Sequence, residues 1–433
     1  MQLYSTKNKR FRVDLATAVM HSLPPDNGLY MPVHIPKLSD SFFAELRDLS
    51  FAELSYQVAR NLIGDYVPSE ALRFIVDEAI DFPAPVHTLN RETHILELFH
   101  GPSLAFKDFG ARFMAKLMGY FNQTKDKSLI ILVATSGDTG GAVAAGFHNT
   151  PGIEVVILYP SGKVSMLQEK QLTTLGHNIR ALEVKGSFDD CQALVKQAFL
   201  DEQLNEQLRL SSANSINIAR LIPQSFYYFE AYKQVAHDGD QIAFVVPSGN
   251  FGNLTAGLIA KRMGLPIAQM IAATNQNDVV PEYLTKGTYT SRPSVATISN
   301  AMDVGNPSNF VRMMDLYRST WNDIKQDILG YSFSDEETRG AMRLVWDEYG
   351  YVLDPHGAVG YLAWQAFQAL HAGYKGIILE TAHPAKFLDE VETTLSANID
   401  IPERLQVLAN KIKQAHLMEV NFDEFRAFLL DTY

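Results

Sequence analysis

In this 433-residue sequence, Lys107 is the residue whose type and position most clearly indicate a possible reaction. It follows the Gly101-Pro102 turn, has the apolar Ala105 and Phe106 before it, and begins a helical period. Apolar surroundings disfavour a charged amine, and a neutral lysine amine can form a Schiff base with an aldehyde. Because most lysines at helix starts are simply solvated, the position alone leaves both interpretations open.

Two glycine-rich turns follow apolar runs and could hold anionic groups. The first, TSGDTGG at residues 135–141, precedes an Ala-rich helical stretch, and the second, PSGNFGN at residues 247–253, precedes the apolar stretch LTAGLIA. Free backbone N–H groups at such turns and at the helix starts after them bind phosphate or carboxylate. The second turn favours an anion site, whereas the first is equally consistent with a tight turn in which Asp or Thr caps a helix.

A third turn, TAHPAKF, begins at Thr381 after the apolar run 376–380. A hydroxyl at the carboxyl end of a strand can donate a hydrogen bond to a ligand ring nitrogen, although a threonine there usually just starts a turn. The sequence has no GxxxxGK[ST], HExxH or GxSxG motif, and its 12 histidines show no metal-ligand spacing. These absences disfavour an NTPase, a zinc protease or a serine hydrolase, and no metal is expected.

Charge and cysteine content indicate which classes of partner and which cellular compartment to expect. Lys plus Arg total 37 against 49 Asp plus Glu, a formal charge of −12, which disfavours nucleic acid or an anionic membrane as a partner. The single cysteine, Cys191, excludes an intramolecular disulfide and a cysteine zinc site. The N-terminus lacks a signal-peptide apolar region, and no apolar run approaches the roughly 20 residues of a membrane span. We therefore expect a cytoplasmic protein with a small-molecule substrate and no obligate protein partner.

The elements that must position these turns are short apolar runs alternating with helical periods. The runs are residues 95–98, 129–134, 153–159, 179–184, 242–247, 270–274 and 376–380. Continuous β-branched runs predict parallel strands buried on both faces, hence an α/β fold with doubly wound parallel sheets. Ligands bind such sheets at the carboxyl ends of strands, where the turns described above lie.

The pattern divides the chain into three parts. Residues 1–88, with helical patterns at 41–47 and 69–80 and several proline turns, predict a small N-terminal domain. Residues 89–240 predict a first α/β domain that carries Lys107, and residues 241–433 a second one that includes the loop 249–253. Two helices are expected after Pro402, packed on this last domain.

Several segments resemble one enzyme family. LELFHGPSLAFKDFGA, around Lys107, resembles the lysine signature of the tryptophan-synthase-β-like family, the pyridoxal 5′-phosphate (PLP) enzymes of fold type II. ATSGDTGGA, VPSGNFGN, MDVGNPSNF and ETAHPAKF are similar to its threonine synthase branch, and the N-terminal STK…DNGLYMP segment is similar to that branch's small first domain. The resemblance spans essentially the whole chain, and the segments follow one another in the same order as in the family.

This resemblance implies a PLP-dependent carbon–oxygen lyase that converts O-phospho-L-homoserine and water to L-threonine and phosphate, the last step of threonine biosynthesis. Lys107 would bind the cofactor covalently and shuttle protons, Thr381 would donate to the pyridine nitrogen, and Asp138 would lie near the phenolic oxygen. The cofactor phosphate would lie in the loop formed by Gly249, Asn250, Phe251, Gly252 and Asn253. Candidate substrate-binding residues are Ser103, Thr135, Ser136, Gly137, Thr139, Lys163, Asn217 and Arg220.

Two alternatives stay open. One is another fold-type-II lyase, such as a threonine or serine dehydratase or a phospho-lyase that ends at 2-oxobutyrate, because the lysine motif is shared and only the position of water addition differs. The other is a non-catalytic or dinucleotide-binding α/β protein whose glycine-rich turns hold a nucleotide. Such a protein would show no visible absorbance from a lysine-bound cofactor.

Overall fold

The computed structural model describes residues 1–123, 125 and 127–433, which form three sheets surrounded by helices. The strands are β1 (Gln2–Ser5), β2 (Arg12–Asp14), β3 (Tyr30–Pro32), β4 (Val86–Asn90), β5 (Thr93–Glu97), β6 (Leu129–Ala134), β7 (Ile153–Pro160), β8 (Ile179–Val184), β9 (Arg209–Ser212), β10 (Gln241–Pro247), β11 (Gln269–Thr274), β12 (Ile328–Ser332), β13 (Tyr374–Glu380) and β14 (His416–Met418).

The helices follow the same chain order. They are α1 (Leu15–His21), α2 (Asp40–Glu45), α3 (Phe51–Ile63), α4 (Ser69–Ala79), α5 (Lys107–Asn122), α6 (Asp138–Phe147), α7 (Met166–Thr173), α8 (Phe188–Leu200), α9 (Glu202–Gln207), α10 (Ile218–Leu221), α11 (Phe226–Val235), α12 (Gly252–Arg262), α13 (Val279–Lys286), α14 (Phe310–Leu316), α15 (Trp321–Asp327), α16 (Asp335–Tyr349), α17 (Pro355–Gln368), α18 (Leu388–Leu395), α19 (Glu403–Ala409) and α20 (Phe422–Thr432). Short 3₁₀ helices lie at Gly64–Tyr66, Ile222–Ser225, Asn300–Met302 and Pro384–Phe387.

The N-terminal unit combines a small antiparallel sheet, in the order β2-β1-β3, with α1 to α4. The Asp14 side chain caps α1 by accepting the Thr17 N–H at 2.8 Å. The apolar faces of α3 and α4 pack against each other, and α4 also contacts α5. The helices predicted at 41–47 and 69–80 are confirmed to within two residues.

A five-stranded parallel sheet, in the order β14-β8-β7-β6-β9, forms the first α/β unit. Every residue of β6 is buried, and its Leu129 pairs with Ile153 on one side and Arg209 on the other. Ser165 and Ser187 begin α7 and α8 with capping boxes, in which the serine and the third helical residue bond each other's backbone. The predicted strands at 129–134, 153–159 and 179–184 are confirmed here.

A six-stranded sheet, in the order β12-β11-β10-β13-β5-β4, forms the second unit. All its neighbouring pairs are parallel except β4 with β5. The central strand β10 is buried along all but its first residue and lies between β11 and β13. With the five-stranded sheet, this confirms the predicted α/β fold with two parallel sheets.

Both ends of the α/β region belong to a different sheet from the one we expected. The run at 95–98, expected in the first domain, forms β5 and pairs with β13 of the six-stranded sheet, with Ile95 opposite Ile378. At the other end, β14 extends the five-stranded sheet beside β8, and α20 contacts α8 and α9. The predicted domain boundaries, 89–240 and 241–433 with the last helices on the second domain, therefore do not match the division of the strands between the two sheets. The reason is that adjacency in sequence does not determine which parallel strands pair.

The carboxyl ends of both parallel sheets face a common cavity. Thr135 follows β6, Gly249 follows β10 and Thr381 follows β13, and all three line this cavity. Within the described ranges, no helix is both long and apolar enough to cross a membrane. Nor do the His, Cys, Asp and Glu side chains of these residues form a group that could hold a metal ion.

Candidate active site

The cavity has a volume of about 470 Å³ and lies between the two parallel sheets. A pocket at the carboxyl ends of parallel strands is where α/β proteins bind ligands. Most residues expected from the sequence meet there. Those that line the cavity are Lys107, Thr135, Ser136, Thr139, Lys163, Arg220, Gly249, Asn250, Phe251, Gly252, Asn253 and Thr381.

Lys107 is the first residue of α5 and is tied to the end of β13. An antiparallel bridge joins Ala105 to Ala382, and the Phe106 N–H donates to the Thr381 carbonyl at 2.8 Å. Burial lowers the pKa of the Lys107 amine, and the positive charge of Lys386 lowers it further, against the opposing effect of Asp138. The surroundings therefore favour the neutral, nucleophilic amine.

The loop after β10 presents free donors to the cavity. Phe251 has a left-handed backbone, with φ 60° and ψ 20°, which is unusual for a bulky residue and turns the chain sharply before α12. Among the described residues, the N–H groups of residues 249–253 make no hydrogen bond. Consecutive free N–H groups at a helix start form a site for phosphate.

Gly249 allows this loop to lie directly on a neighbouring segment. A Cβ atom at Gly249 would lie 2.6 Å from the Ala301 carbonyl oxygen and 2.9 Å from the Met302 Cα. The Asn309 N–H also donates to the Asn250 carbonyl at 3.2 Å. The 3₁₀ helix at residues 300–302 and the start of α14 therefore support the loop from behind.

His356 holds that supporting segment, a role that the sequence did not reveal. Its Nε2 accepts the Ala301 N–H at 3.2 Å, and its Nδ1 lies 3.1 Å from the Asp354 carboxylate. The imidazole is buried and lines the cavity. A histidine in the first turn of a helix gives no local sequence signal of this contact.

Thr381 presents its hydroxyl to the cavity. The residue is only 6% exposed, and within the described part of the chain no hydrogen-bond partner lies near its hydroxyl oxygen. Its carbonyl is occupied by Phe106, which fixes the backbone. A neutral hydroxyl in this position can donate to an unprotonated ring nitrogen.

The turn after β6 is partly a helix cap, as one interpretation of the sequence predicted. The Thr135 hydroxyl accepts the N–H groups of Gly137 at 3.0 Å and Gly140 at 2.8 Å. Gly137 does not line the cavity, but Ser136 and Thr139 do. Only part of this turn is therefore available to a substrate.

Asp138 lies behind the cavity wall, between two lysines. Its Oδ1 is 2.8 Å from Lys386 Nζ and 2.9 Å from Gln168 Nε2, and its Oδ2 is 3.8 Å from Lys107 Nζ. Burial alone would raise the pKa of this carboxyl, but the charges of Lys386 and Lys107 hold it well below its usual range. Asp138 is therefore a fixed negative charge beside the reactive amine.

Besides Gly137, two of the expected substrate-binding residues, Asn217 and Ser103, lie outside the cavity lining. The Asn217 amide donates at 2.8 Å to both the Val19 carbonyl and the Ser22 hydroxyl, and its oxygen caps α10. Ser103 is buried, and its carbonyl accepts from Lys386. In this structure Asn217 joins α10 to the N-terminal unit and Ser103 contacts the lysine–aspartate group, so neither residue lines the cavity, and their contact with a substrate stays a prediction.

Arg220 keeps donors for an anion. It is buried but lines the cavity, and its Nη1 donates to the Ala213 carbonyl at 2.6 Å, while its Nε, which has no hydrogen-bond partner among the described residues, lies against Gly110 of α5. Burial lowers its pKa to about 10, so it stays charged at neutral pH. With the exposed Lys163 at the cavity mouth, Arg220 supplies positive charge to a negatively charged ligand.

Comparison with known proteins assigns the chain to a family. A family profile described as "Pyridoxal-phosphate dependent enzyme" matches residues 81–379, and profiles described as "Threonine synthase N terminus" and "Threonine synthase, C-terminal" match residues 2–80 and 357–429. The threonine synthase of Escherichia coli (strain K12) is 45% identical over 432 residues, covering 100% of both chains. The chain belongs to the threonine synthase family.

Solved structures agree with this assignment. The crystal structure of threonine synthase from Escherichia coli superposes with a TM-score of 0.93 at 44% identity and covers 100% of both chains. A PLP-bound threonine synthase from Brucella melitensis superposes with a TM-score of 0.92 at 32% identity, covering 99% of this chain and 98% of that one. The predicted family, fold type II and PLP cofactor are thereby confirmed.

The residues of the cavity fit this cofactor. The free N–H groups of residues 249–253 match a phosphate group, the free hydroxyl of Thr381 matches a ring nitrogen, and Lys107 is an amine of lowered pKa for an aldehyde. All three features lie on the same cavity.

Proposed function

We propose that this protein is a working threonine synthase that converts O-phospho-L-homoserine and water to L-threonine and phosphate, with Lys107 as the cofactor-bearing lysine. The family membership supports the reaction. The observation that supports the residue assignment is the convergence of a buried lysine, a free threonine hydroxyl and a row of free N–H groups on one cavity.

Each group would hold one part of the cofactor. The N–H groups of Gly249 to Asn253 would bind its phosphate, and Thr381 would donate to its pyridine nitrogen. Asp138 would act mainly through its charge, because both of its oxygens already face lysines. Bound PLP supplies an electron sink for the carbanions that form at the substrate's Cα and Cβ.

The chain's own residues would then bind the substrate and move its protons. Lys107 Nζ is proposed to remove the proton at Cα and the proton at Cβ and to return protons to the product. Arg220 and Lys163 would bind the two anionic groups of the substrate, with Ser136 and Thr139 as further donors. Phosphate leaves from Cγ and the water molecule adds at Cβ, so that substrate and water balance threonine and phosphate.

The remaining parts of the proposal concern partners and location. We propose a small-molecule substrate and no nucleic-acid, membrane or obligate protein partner, supported by the net charge of −12 for the first two. A cytoplasmic location is supported by the single cysteine, which is typical of a reducing compartment.

An assay with three product measurements tests this function. Purified protein loaded with PLP is given O-phospho-L-homoserine, and phosphate, threonine and 2-oxobutyrate are quantified. We expect threonine equal to phosphate, and loss of both products and of the cofactor's visible absorbance in Lys107→Ala. The exposed Lys185 gives the control variant Lys185→Ala, which should keep full activity. Phosphate matched by 2-oxobutyrate would instead identify a phospho-lyase.

A further inference from the structure

Lys386 is a buried lysine that reaches the active site from the six-stranded sheet. It lies in the 3₁₀ turn Pro384–Phe387 after β13, and it is 1% exposed. Its Nζ donates to the Ser103 carbonyl at 2.7 Å and contacts Asp138 Oδ1 at 2.8 Å. A lysine is almost never this buried unless it is paired, so the contact with Asp138 compensates its charge.

Asp138 is shared unequally between two lysines. Lys386 lies 2.8 Å from one carboxylate oxygen, whereas Lys107 lies 3.8 Å from the other. A separation of 3.8 Å is beyond a normal N–H···O hydrogen bond. Lys386 is therefore the closer partner, and Lys107 is the amine whose positive charge is less well compensated.

The other charged groups near Lys107 do not compensate the positive charge of its protonated amine. Arg220 of α10 adds a second positive charge that disfavours the protonated Lys107 amine. The next carboxyl, Asp108 of α5, bonds through Oδ2 to the Ser103 N–H at 2.8 Å, and burial raises its pKa to about 6. The groups facing Lys107 are thus two cations, Lys386 and Arg220, and one close carboxylate, Asp138.

We propose that Lys386 is a positioning residue that holds Asp138 as its own counter-ion and so leaves the Lys107 amine free to lose its proton. The proposal rests on the proposed role of Lys107 as the cofactor-bearing lysine. If Lys386 loses its charge, Asp138 becomes the counter-ion of Lys107 and stabilises its protonated form. A charged replacement at position 386 keeps the arrangement.

The experiment measures the protonation of Lys107 without using catalysis. The full-length chain, freed of PLP, is labelled with trace acetic anhydride over a range of pH, and acetylation of each lysine is quantified by mass spectrometry. In Lys386→Met we expect the half-labelling pH of Lys107 to rise by about one unit or more, which lowers its labelling at neutral pH about tenfold. Lys386→Arg should keep the midpoint of the unchanged protein.

A matched control separates this effect from general damage. Lys375 is partly buried and paired with Asp240 at 2.7 Å, at the opposite end of β13 from Thr381, so Lys375→Met should leave the Lys107 midpoint unchanged. If Lys386→Met does not fold, Lys386→Gln gives the answer, because it removes the charge and keeps a donor for the Ser103 carbonyl, and it should also raise the Lys107 midpoint. An unchanged Lys107 midpoint in Lys386→Met, or in Lys386→Gln, overturns the proposal.

A second measurement separates this proposal from the proposed function. The PLP-loaded protein is reduced with borohydride, and the modified lysine is located by mass spectrometry. Attachment at a lysine other than Lys107 would overturn the assignment on which the proposal rests. Attachment at Lys107 together with an unchanged midpoint in Lys386→Met would overturn the role of Lys386 alone.

Discussion

The reactivity of Lys107 is a property of its neighbours. A lysine side chain in water is protonated at neutral pH, and here burial, Lys386 and Arg220 shift it toward the neutral amine. The neighbouring charges come from other parts of the chain, namely α10 and the turn after β13. Thr381 is likewise held by a distant part of the chain, because the Phe106 N–H donates to its carbonyl, and its hydroxyl has no hydrogen-bond partner among the described residues.

Replacing Thr381 tests that hydroxyl. In Thr381→Val we expect PLP affinity to fall about fivefold, since a hydrogen bond contributes about 1 kcal/mol, while the free energy of unfolding of the PLP-free protein changes little. Titration of the PLP-free variant with PLP, followed by its visible absorbance, measures this.

Thr394 supplies a matched control for Thr381. It is also 6% exposed, and its hydroxyl bonds to Glu390 at 3.0 Å, away from the cavity. Thr394→Val should therefore keep the PLP affinity of the unchanged protein. Equal affinities in the two variants would mean that Thr381 does not hold the cofactor.

At the scale of elements, the phosphate loop depends on a segment behind it. The loop residues 249–253 lie against the 3₁₀ helix at 300–302, which His356 of α17 holds through the Ala301 N–H. The cradle of free N–H groups is thus built by three segments that meet at the end of β10. Changes in the supporting segment should therefore affect cofactor binding, even though its residues need not touch the phosphate.

Gly249→Ala tests the close approach of these segments. The new Cβ would lie within 3 Å of backbone atoms of Ala301 and Met302, so one segment must shift, and overpacking of this kind costs about 1–3 kcal/mol. We expect a lower free energy of unfolding, measured with urea, and weaker PLP binding.

Gly340 provides the opposite case. It lies within α16, and a Cβ there would meet no atom within 4 Å. Gly340→Ala should therefore raise stability by about 0.5–1 kcal/mol, because alanine loses less conformational freedom in a helix. A Gly249→Ala variant as stable as the unchanged protein would contradict the close packing.

At the scale of the whole molecule, the three units are joined by segments that cross between them. Arg312 of α14 is fully buried and donates to the carbonyls of Tyr30, Ser215 and Ile216, which connects the N-terminal unit to the α/β units. The chain contributes β4 and β5 to the six-stranded sheet before it forms β6 to β9 of the five-stranded sheet, and it returns to the five-stranded sheet with β14. Each α/β unit is therefore built from separate stretches of the chain, so one cut in the sequence cannot separate the two units that flank the cavity.

Phe425→Ala tests the placement of the C-terminal helix. Phe425 of α20 is fully buried in the cluster formed by α8 and the five-stranded sheet, and its removal should cost about 3–5 kcal/mol. We expect amide hydrogen exchange to speed up in α8 and β8, with a smaller change in β10 and β13. The exposed Phe74 gives the control variant Phe74→Ala, for which stability should change by less than about 0.5 kcal/mol. Faster exchange confined to the six-stranded sheet would place α20 on the other unit.

Much of the local structure and most of the cavity could be predicted from the sequence. The apolar runs predicted seven of the strands, and the glycine-rich turns predicted the loop 249–253. Local spacing is sufficient for these features because a strand, a turn and a helix start each depend on residues a few positions apart. The roles of Lys107 and Thr381, which position alone left open, came from the family resemblance.

Only the tertiary structure decided which distant segments meet. It placed the run at 95–98 in the six-stranded sheet and the C-terminal segment, expected on the second domain, against the five-stranded sheet. It also gave Asn217 a structural role and brought Lys386 to the Ser103 carbonyl, 283 positions away in the chain. Such contacts depend on how whole elements pack, and a lysine in a short turn looks the same in sequence whether it faces water or a buried carboxylate. The sequence by itself therefore determined which chemistry this protein could carry, and the fold decided which charges control it.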